Sequence, residues 1–134
     1  MIRTTLSNHC ARIVCAATLA LTASGAFGEA GAPAATGRTS KGPTLVDARG
    51  MSLYTFDKDA GGKSACNDGC AALWPPLPAA AGATPSGDWT IISRDDGSRQ
   101  WAYKGKPLYA FTQDAKAGDV VGDGYKSVWH IAKP

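Results

Sequence analysis

The chain has 134 residues and a formal net charge of +3, from 14 Lys+Arg and 11 Asp+Glu. That length suits one small domain rather than a multidomain enzyme. The nearly balanced charge excludes the clustered basic surface that nucleic-acid binding by counterion release requires.

Residues 1–28 read as a secretory signal peptide. Arg3, His9 and Arg12 precede the apolar run Ile13–Leu21, and small residues lead to Ala26 and Gly28 at −3 and −1 of an expected cleavage site. The run is shorter than the ~20 residues of a membrane span, so no transmembrane segment is expected after cleavage. Cys10 and Cys15 lie inside the leader, before the apolar core ends. Neither is placed for lipidation, so the expected product is exported, periplasmic or extracellular, without a lipid anchor. Removing Arg3 and Arg12 brings its charge close to +1. Residues 29–41 carry almost no large apolar groups and read as a flexible linker.

From residue 42 onward the chain repeats. An offset of 55 aligns Gly42 with Gly97, Gly50 with Gly105, Leu53-Tyr54 with Leu108-Tyr109, and Phe56 with Phe111. The same offset aligns Asp59-Ala60 with Asp114-Ala115, Asp68-Gly69 with Asp123-Gly124, and Trp74 with Trp129. Glycines, aromatics and aspartates set backbone shape and packing, so the pattern reads as a duplication. Repeat 1 spans about 42–77 and repeat 2 about 97–132 within one domain, 42–134.

Each repeat predicts a strand (Thr44–Arg49, Gln100–Lys104), a turn at Gly50 or Gly105, and a second strand (Leu53–Phe56, Leu108–Phe111). Alternation puts Tyr54 with Phe56, and Tyr109 with Phe111, on one face. An Asp/Gly-rich loop follows, and a Trp closes the unit. Further strands are expected at Trp89–Ser93 and Val128–Ala132. Cys70–Trp74 can form one helical turn before Pro75-Pro76 stops it. The expected fold is a mainly β, small single domain of two tandem repeats with pseudo-twofold symmetry, an aromatic core and at most one short helical turn.

These residues resemble a bacterial secreted-repeat family, described as predicted lipoproteins with a Y-x-[FWY]-x-x-D motif. The motif occurs at Tyr54, Phe56 and Asp59 and again at Tyr109, Phe111 and Asp114, with Trp74 and Trp129 in the longer signature. The signature also runs through Gly62–Cys66, Cys70–Leu77, Gln100–Tyr109 and Gly122-Asp123-Gly124. The family's lipidation cysteine has no match. The resemblance implies export and a duplicated β domain, and no established activity.

Cys66 and Cys70 flank Asn67-Asp68-Gly69, turn residues that can bring the two sulfurs together, and an exported pair is expected as a disulfide. The alternative is a periplasmic copper-binding or thiol-redox protein. There Cys66 and Cys70 would supply thiolates, His130 an imidazole and Met51 a thioether, a soft set suited to Cu(I). A calcium-stabilised module is a third reading, since Asp57, Asp59, Gly62 and Asp68 fall at positions 1, 3, 6 and 12 of an EF-hand-like loop. Gly61 at position 5 and the missing bidentate Glu depart from that pattern. Beyond the leader His130 is the lone histidine, so no Ser–His–Asp constellation is expected, and no cofactor is required. Trp89, Trp101, Tyr103 and Tyr125 have no partner in the other repeat and are the expected surface aromatics for binding an envelope protein or glycan. The sequence thus points to a non-enzymatic, exported binding or structural module of unspecified activity.

Overall fold

A computed structural model describes residues 32–134. The expected signal peptide, with Cys10 and Cys15, lies outside the described residues. The strands are β1 (Ala35–Thr39), β2 (Gly42–Val46), β3 (Tyr54–Phe56), β4 (Trp89–Ser93), β5 (Arg99–Tyr103), β6 (Lys106–Pro107) and β7 (Trp129–Ile131). One helical turn, α1 (Gly69–Leu73), lies where the sequence placed it, and a 3-10 turn, Tyr125–Ser127, adds to it. The protein is mainly β and built from two tandem repeats.

Part of the expected linker is structured. β1 pairs antiparallel with β2, from Ala35 opposite Val46 to Thr39 opposite Gly42. The linker reading counted apolar side chains, but an edge strand needs only a partner for its backbone N–H and C=O groups. β4 and β5 make the equivalent hairpin in repeat 2, with Trp89 opposite Tyr103.

The repeats do not stand side by side; they interlock. β3 of repeat 1 pairs with β7 of repeat 2, Tyr54 opposite Ile131 and Phe56 opposite Trp129. The mirrored pairing joins 109–112 to 73–76, where Ala110 N donates to Pro75 O (2.8 Å) and Thr112 N to Leu73 O (3.1 Å). Proline has no N–H, so Pro75 and Pro76 cannot return the ladder bonds, and the second half-ladder shrinks to isolated bridges. The strand expected at Leu108–Phe111 is for that reason irregular. On the pseudo-twofold axis Tyr54 and Tyr109 exchange backbone bonds, Tyr54 N to Tyr109 O at 2.7 Å and Tyr109 N to Tyr54 O at 3.0 Å.

The 55-residue offset holds after the first turn of each repeat, but before it the offset is 56. Leu53 N donates to Leu45 O, whereas Leu108 N donates to Trp101 O. The turns explain the slip. Between β5 and β6, Tyr103 pairs with Lys106 across Lys104 (φ 50°) and Gly105 (φ 81°), a two-residue loop with both central residues at positive φ. Repeat 1 uses one residue more, closing through Gly50 N to Asp47 O and Asp47 N to Met51 O.

Two clusters fill the interior. The aromatic one holds Tyr54, Cys66, Trp74, Tyr109, Phe111, Trp129 and Ile131. A second, aliphatic one, which the aromatic pattern did not announce, holds Leu45, Leu53, Leu108 and Ala132.

Candidate functional site

The motif residues build the centre of the molecule. Trp74 and Trp129 stack at 3.8 Å with ring planes 2° apart. Phe111 stacks on Trp74 (3.9 Å) and Phe56 on Trp129 (4.2 Å), which makes a continuous four-ring ladder drawn equally from both repeats. Tyr54 meets Trp74 edge-on at 5.2 Å, and Tyr109 meets Trp129 in the same way at 5.1 Å. Such pairs add ~0.5–1.5 kcal/mol each beyond the area they bury.

The motif aspartates lock the halves together crosswise. Tyr54 OH donates to Asp114 Oδ2 (2.7 Å), and Tyr109 OH donates to Asp59 Oδ2 (2.6 Å). The other carboxylate oxygens hold the following loops, Asp59 Oδ1 accepting Ala65 N (2.7 Å) and Asp114 Oδ1 accepting Val121 N (3.0 Å). Burial raises both carboxyls above the ordinary range, although these hydrogen bonds favour the charged form. Burial, with the facing carboxylate, also pushes both phenols far up, so both stay protonated donors.

Cys66 and Cys70 form a disulfide. Cys66 is fully buried, and its backbone carbonyl accepts from the Arg94 guanidinium. Arg94 is itself only 6% exposed and also donates to Ser64 Oγ (2.9 Å) and Gln100 Oε1 (2.8 Å). Ser64 passes the network to Tyr109 OH at 2.6 Å. Sequence reading missed this buried Arg–Ser–Gln set, because isolated polar residues in turn-rich segments carry no periodic signal.

The metal candidates are not brought together. The two sulfurs are bonded to each other, which leaves no thiolate for Cu(I). His130 projects from the face of β7 opposite to buried Trp129 and Ile131, and its Nε2 lies 2.8 Å from Asp57 Oδ2. Met51 sits in the β2–β3 turn with its N donating to Asp47 Oδ1 (3.0 Å). For calcium, Asp57 is paired with His130, Asp59 is committed to Ala65 N and Tyr109, and Asp68 is exposed at the start of α1. Among the described residues no three His, Cys, Asp or Glu side chains are arranged to hold a metal.

The surface aromatics divide. Trp101 is buried, a correction to its expected exposure, because β5 is the central strand of its sheet and packs Trp101 edge-on against Trp89 (6.2 Å). Trp89 and Tyr103 are half-buried neighbours, 4.7 Å apart. Tyr125 is half-buried against Trp74 and Phe111.

One cleft gathers chemistry-bearing side chains from both repeats, with a volume of about 260 Å³. Thr55 of β3 and His130 of β7 lie directly opposite each other, and Asp57 follows Thr55 on the same face. The β5–β6 hairpin supplies the facing wall with Tyr103, Lys104 and Lys106, and Lys133 closes the end beyond β7. Lys104 N donates to Asp88 O (2.8 Å), which anchors the hairpin tip. An adjoining cleft shares Thr55, Asp57 and Lys106. Sequence reading had Tyr103 and His130 on other grounds but read Lys104-Gly105-Lys106 only as a turn. Nothing local could show that it faces the end of repeat 2.

The fold and this site define a duplicated, disulfide-stapled β module whose open cleft is lined jointly by both repeats. The chain belongs to the family of secreted repeats of unknown function, whose model matches residues 35–78 and 90–133. The first match begins at β1, in agreement with the strand found in the expected linker. Neither the curated proteins nor the solved structures gave a match. No helix of the described residues is long and apolar enough to cross a membrane.

Proposed function

We propose that the protein is a non-enzymatic binding module of the bacterial cell envelope, periplasmic or extracellular and not lipid-anchored, which holds an envelope glycan or protein in the β3–β7/β5–β6 cleft. The observation that carries this reading is the cleft itself. Polar and aromatic side chains from both repeats converge there on a scaffold that the aromatic ladder and crossed Tyr–Asp pairs make rigid. Binding rather than catalysis is our reading of that wall, which offers a ligand charged and hydrogen-bonding groups. The placement of Cys10 and Cys15 before the end of the leader's apolar run supports the reading without a lipid anchor.

The test is a titration of the isotopically labelled, exported protein with solubilised envelope polysaccharide and protein fractions, followed by NMR. Saturable shifts confined to residues around Thr55, Tyr103–Lys106 and His130–Lys133, with the added material unchanged in mass, support the reading. Cleavage or modification of the added material overturns its non-enzymatic part. Absence of shifts at the cleft overturns the site.

A further inference from the structure

We propose that the ligand of this cleft is a negatively charged sugar, a carboxylate- or phosphate-bearing unit of an envelope glycan. This rests on the binding-module reading above and names the ligand's chemistry. Three lysines line the cleft from two segments, Lys104 and Lys106 from the hairpin tip and Lys133 from the chain beyond β7, and Lys104 Nζ lies 5.1 Å from the centroid of the Tyr103 ring. Among the described residues none of the three forms an ion pair, as is also true of Arg38, Lys58, Lys63, Arg94, Arg99 and Lys126. Two of the negative groups nearby already have partners, while the carboxylate of Asp88, whose carbonyl holds Lys104 N, has none among the described residues. Asp57 is paired with His130 at 2.8 Å, and Asp59 in the adjoining cleft accepts from Tyr109 and Ala65 N. Three lysines against the single carboxylate of Asp57 on its wall give the cleft an excess of positive charge, in a protein whose exported form is nearly neutral.

The fold does not need these lysines. All three are exposed, and Lys104 stands at φ 50° in a two-residue turn where Asn, Asp or Gly is the usual choice. The remaining wall suits a sugar rather than a bare anion. The Tyr103 ring already carries Lys104 Nζ at 5.1 Å and Trp89 at 4.7 Å, so the apolar face of a pyranose would meet Leu108, Ile131 and Ala132, while Thr55 and His130 offer hydrogen-bonding groups for hydroxyls. The volume of about 260 Å³ lies just below the ~300–1,000 Å³ of drug-sized sites and suits one sugar unit.

The experiment titrates the labelled, exported protein with glucuronate, glucose 6-phosphate, glucose and inorganic phosphate, with amide shifts as the readout. We expect glucuronate or glucose 6-phosphate to shift Tyr103–Lys106 and His130–Lys133 saturably, the tighter of the two identifying a carboxylate or a phosphate source. The triple variant K104Q/K106Q/K133Q should weaken that binding at least tenfold while leaving the urea midpoint in place. Glucose binding as tightly as the acidic sugars would overturn the charge assignment and leave the binding-module reading standing. Inorganic phosphate binding as tightly as glucose 6-phosphate would overturn the sugar assignment. No shift at the cleft with any of the four would overturn the proposal, while the polysaccharide titration still judges the module reading separately.

Discussion

Replacing either motif aspartate by asparagine should separate two sites that look equivalent by symmetry. In Asp114→Asn, the amide oxygen keeps Val121 N, and the NH2 group then faces Tyr54 OH, which previously donated to Asp114. The other close neighbour of that phenol is Gly122 N, itself a donor at 3.3 Å. Tyr54 is fully buried, so its proton loses every acceptor. An unsatisfied buried donor costs ~1–3 kcal/mol. In Asp59→Asn the phenol of Tyr109 has an outlet. Ser64 Oγ lies 2.6 Å away and can accept, passing its own proton to Cys66 O at 3.4 Å. Ser64 already accepts from Arg94 at 2.9 Å and from Cys66 N at 3.2 Å, so the phenol displaces the longer of these, and the rescue is partial. The predicted difference is about 1–2 kcal/mol in favour of Asp59→Asn, or roughly 4–15 °C in Tm for a domain of this size. Thermal and urea unfolding of both variants measure it, and adding Ser64→Ala should erase the advantage of Asp59→Asn. Equal midpoints, or Asp59→Asn as the weaker protein, would refute the reasoning.

The crossed strands predict that neither half folds alone. Fragments 29–80 and 81–134 should each lack near-ultraviolet dichroism from the tryptophan stack and regain it on mixing, because Phe56 needs Trp129 and Phe111 needs Trp74. Gly122→Ala should cost ~1–3 kcal/mol in urea unfolding, since a Cβ there would meet Trp74 at 2.6 Å and Phe111 at 2.8 Å, backed by the ladder itself. The raised carboxyls of Asp59 and Asp114 bind protons more tightly folded than unfolded. Their contribution to stability is therefore full below the ordinary carboxylate range and is lost as pH rises through their raised folded values. Urea midpoints measured from pH 4 to 7 should show wild type gaining on Asp59→Asn as the pH falls. A gap that narrows on acidification would contradict the assigned direction.

Much of this protein is legible locally. Local residue order announces the turns at Gly50 and Gly105, the strand Trp89–Ser93, the helical turn α1 stopped by Pro75, and the Cys66–Cys70 staple, since each depends on residues close together in the chain. The repeat announces which aromatics and aspartates matter, because a duplicated position must serve the same packing twice. Three things needed the tertiary structure. The strand at Ala35–Thr39 exists because β2 offers it a backbone partner, and its own composition does not reveal that. The crossing of β3 with β7 turns Asp59 and Asp114 from loop anchors into clasps on the opposite repeat, a relation between residues 50 or more apart. The cleft brings the turn lysines 104 and 106 beside Thr55, His130 and Lys133. Pattern reading sees neighbours along the chain, whereas a binding surface is made by whichever segments the core brings together.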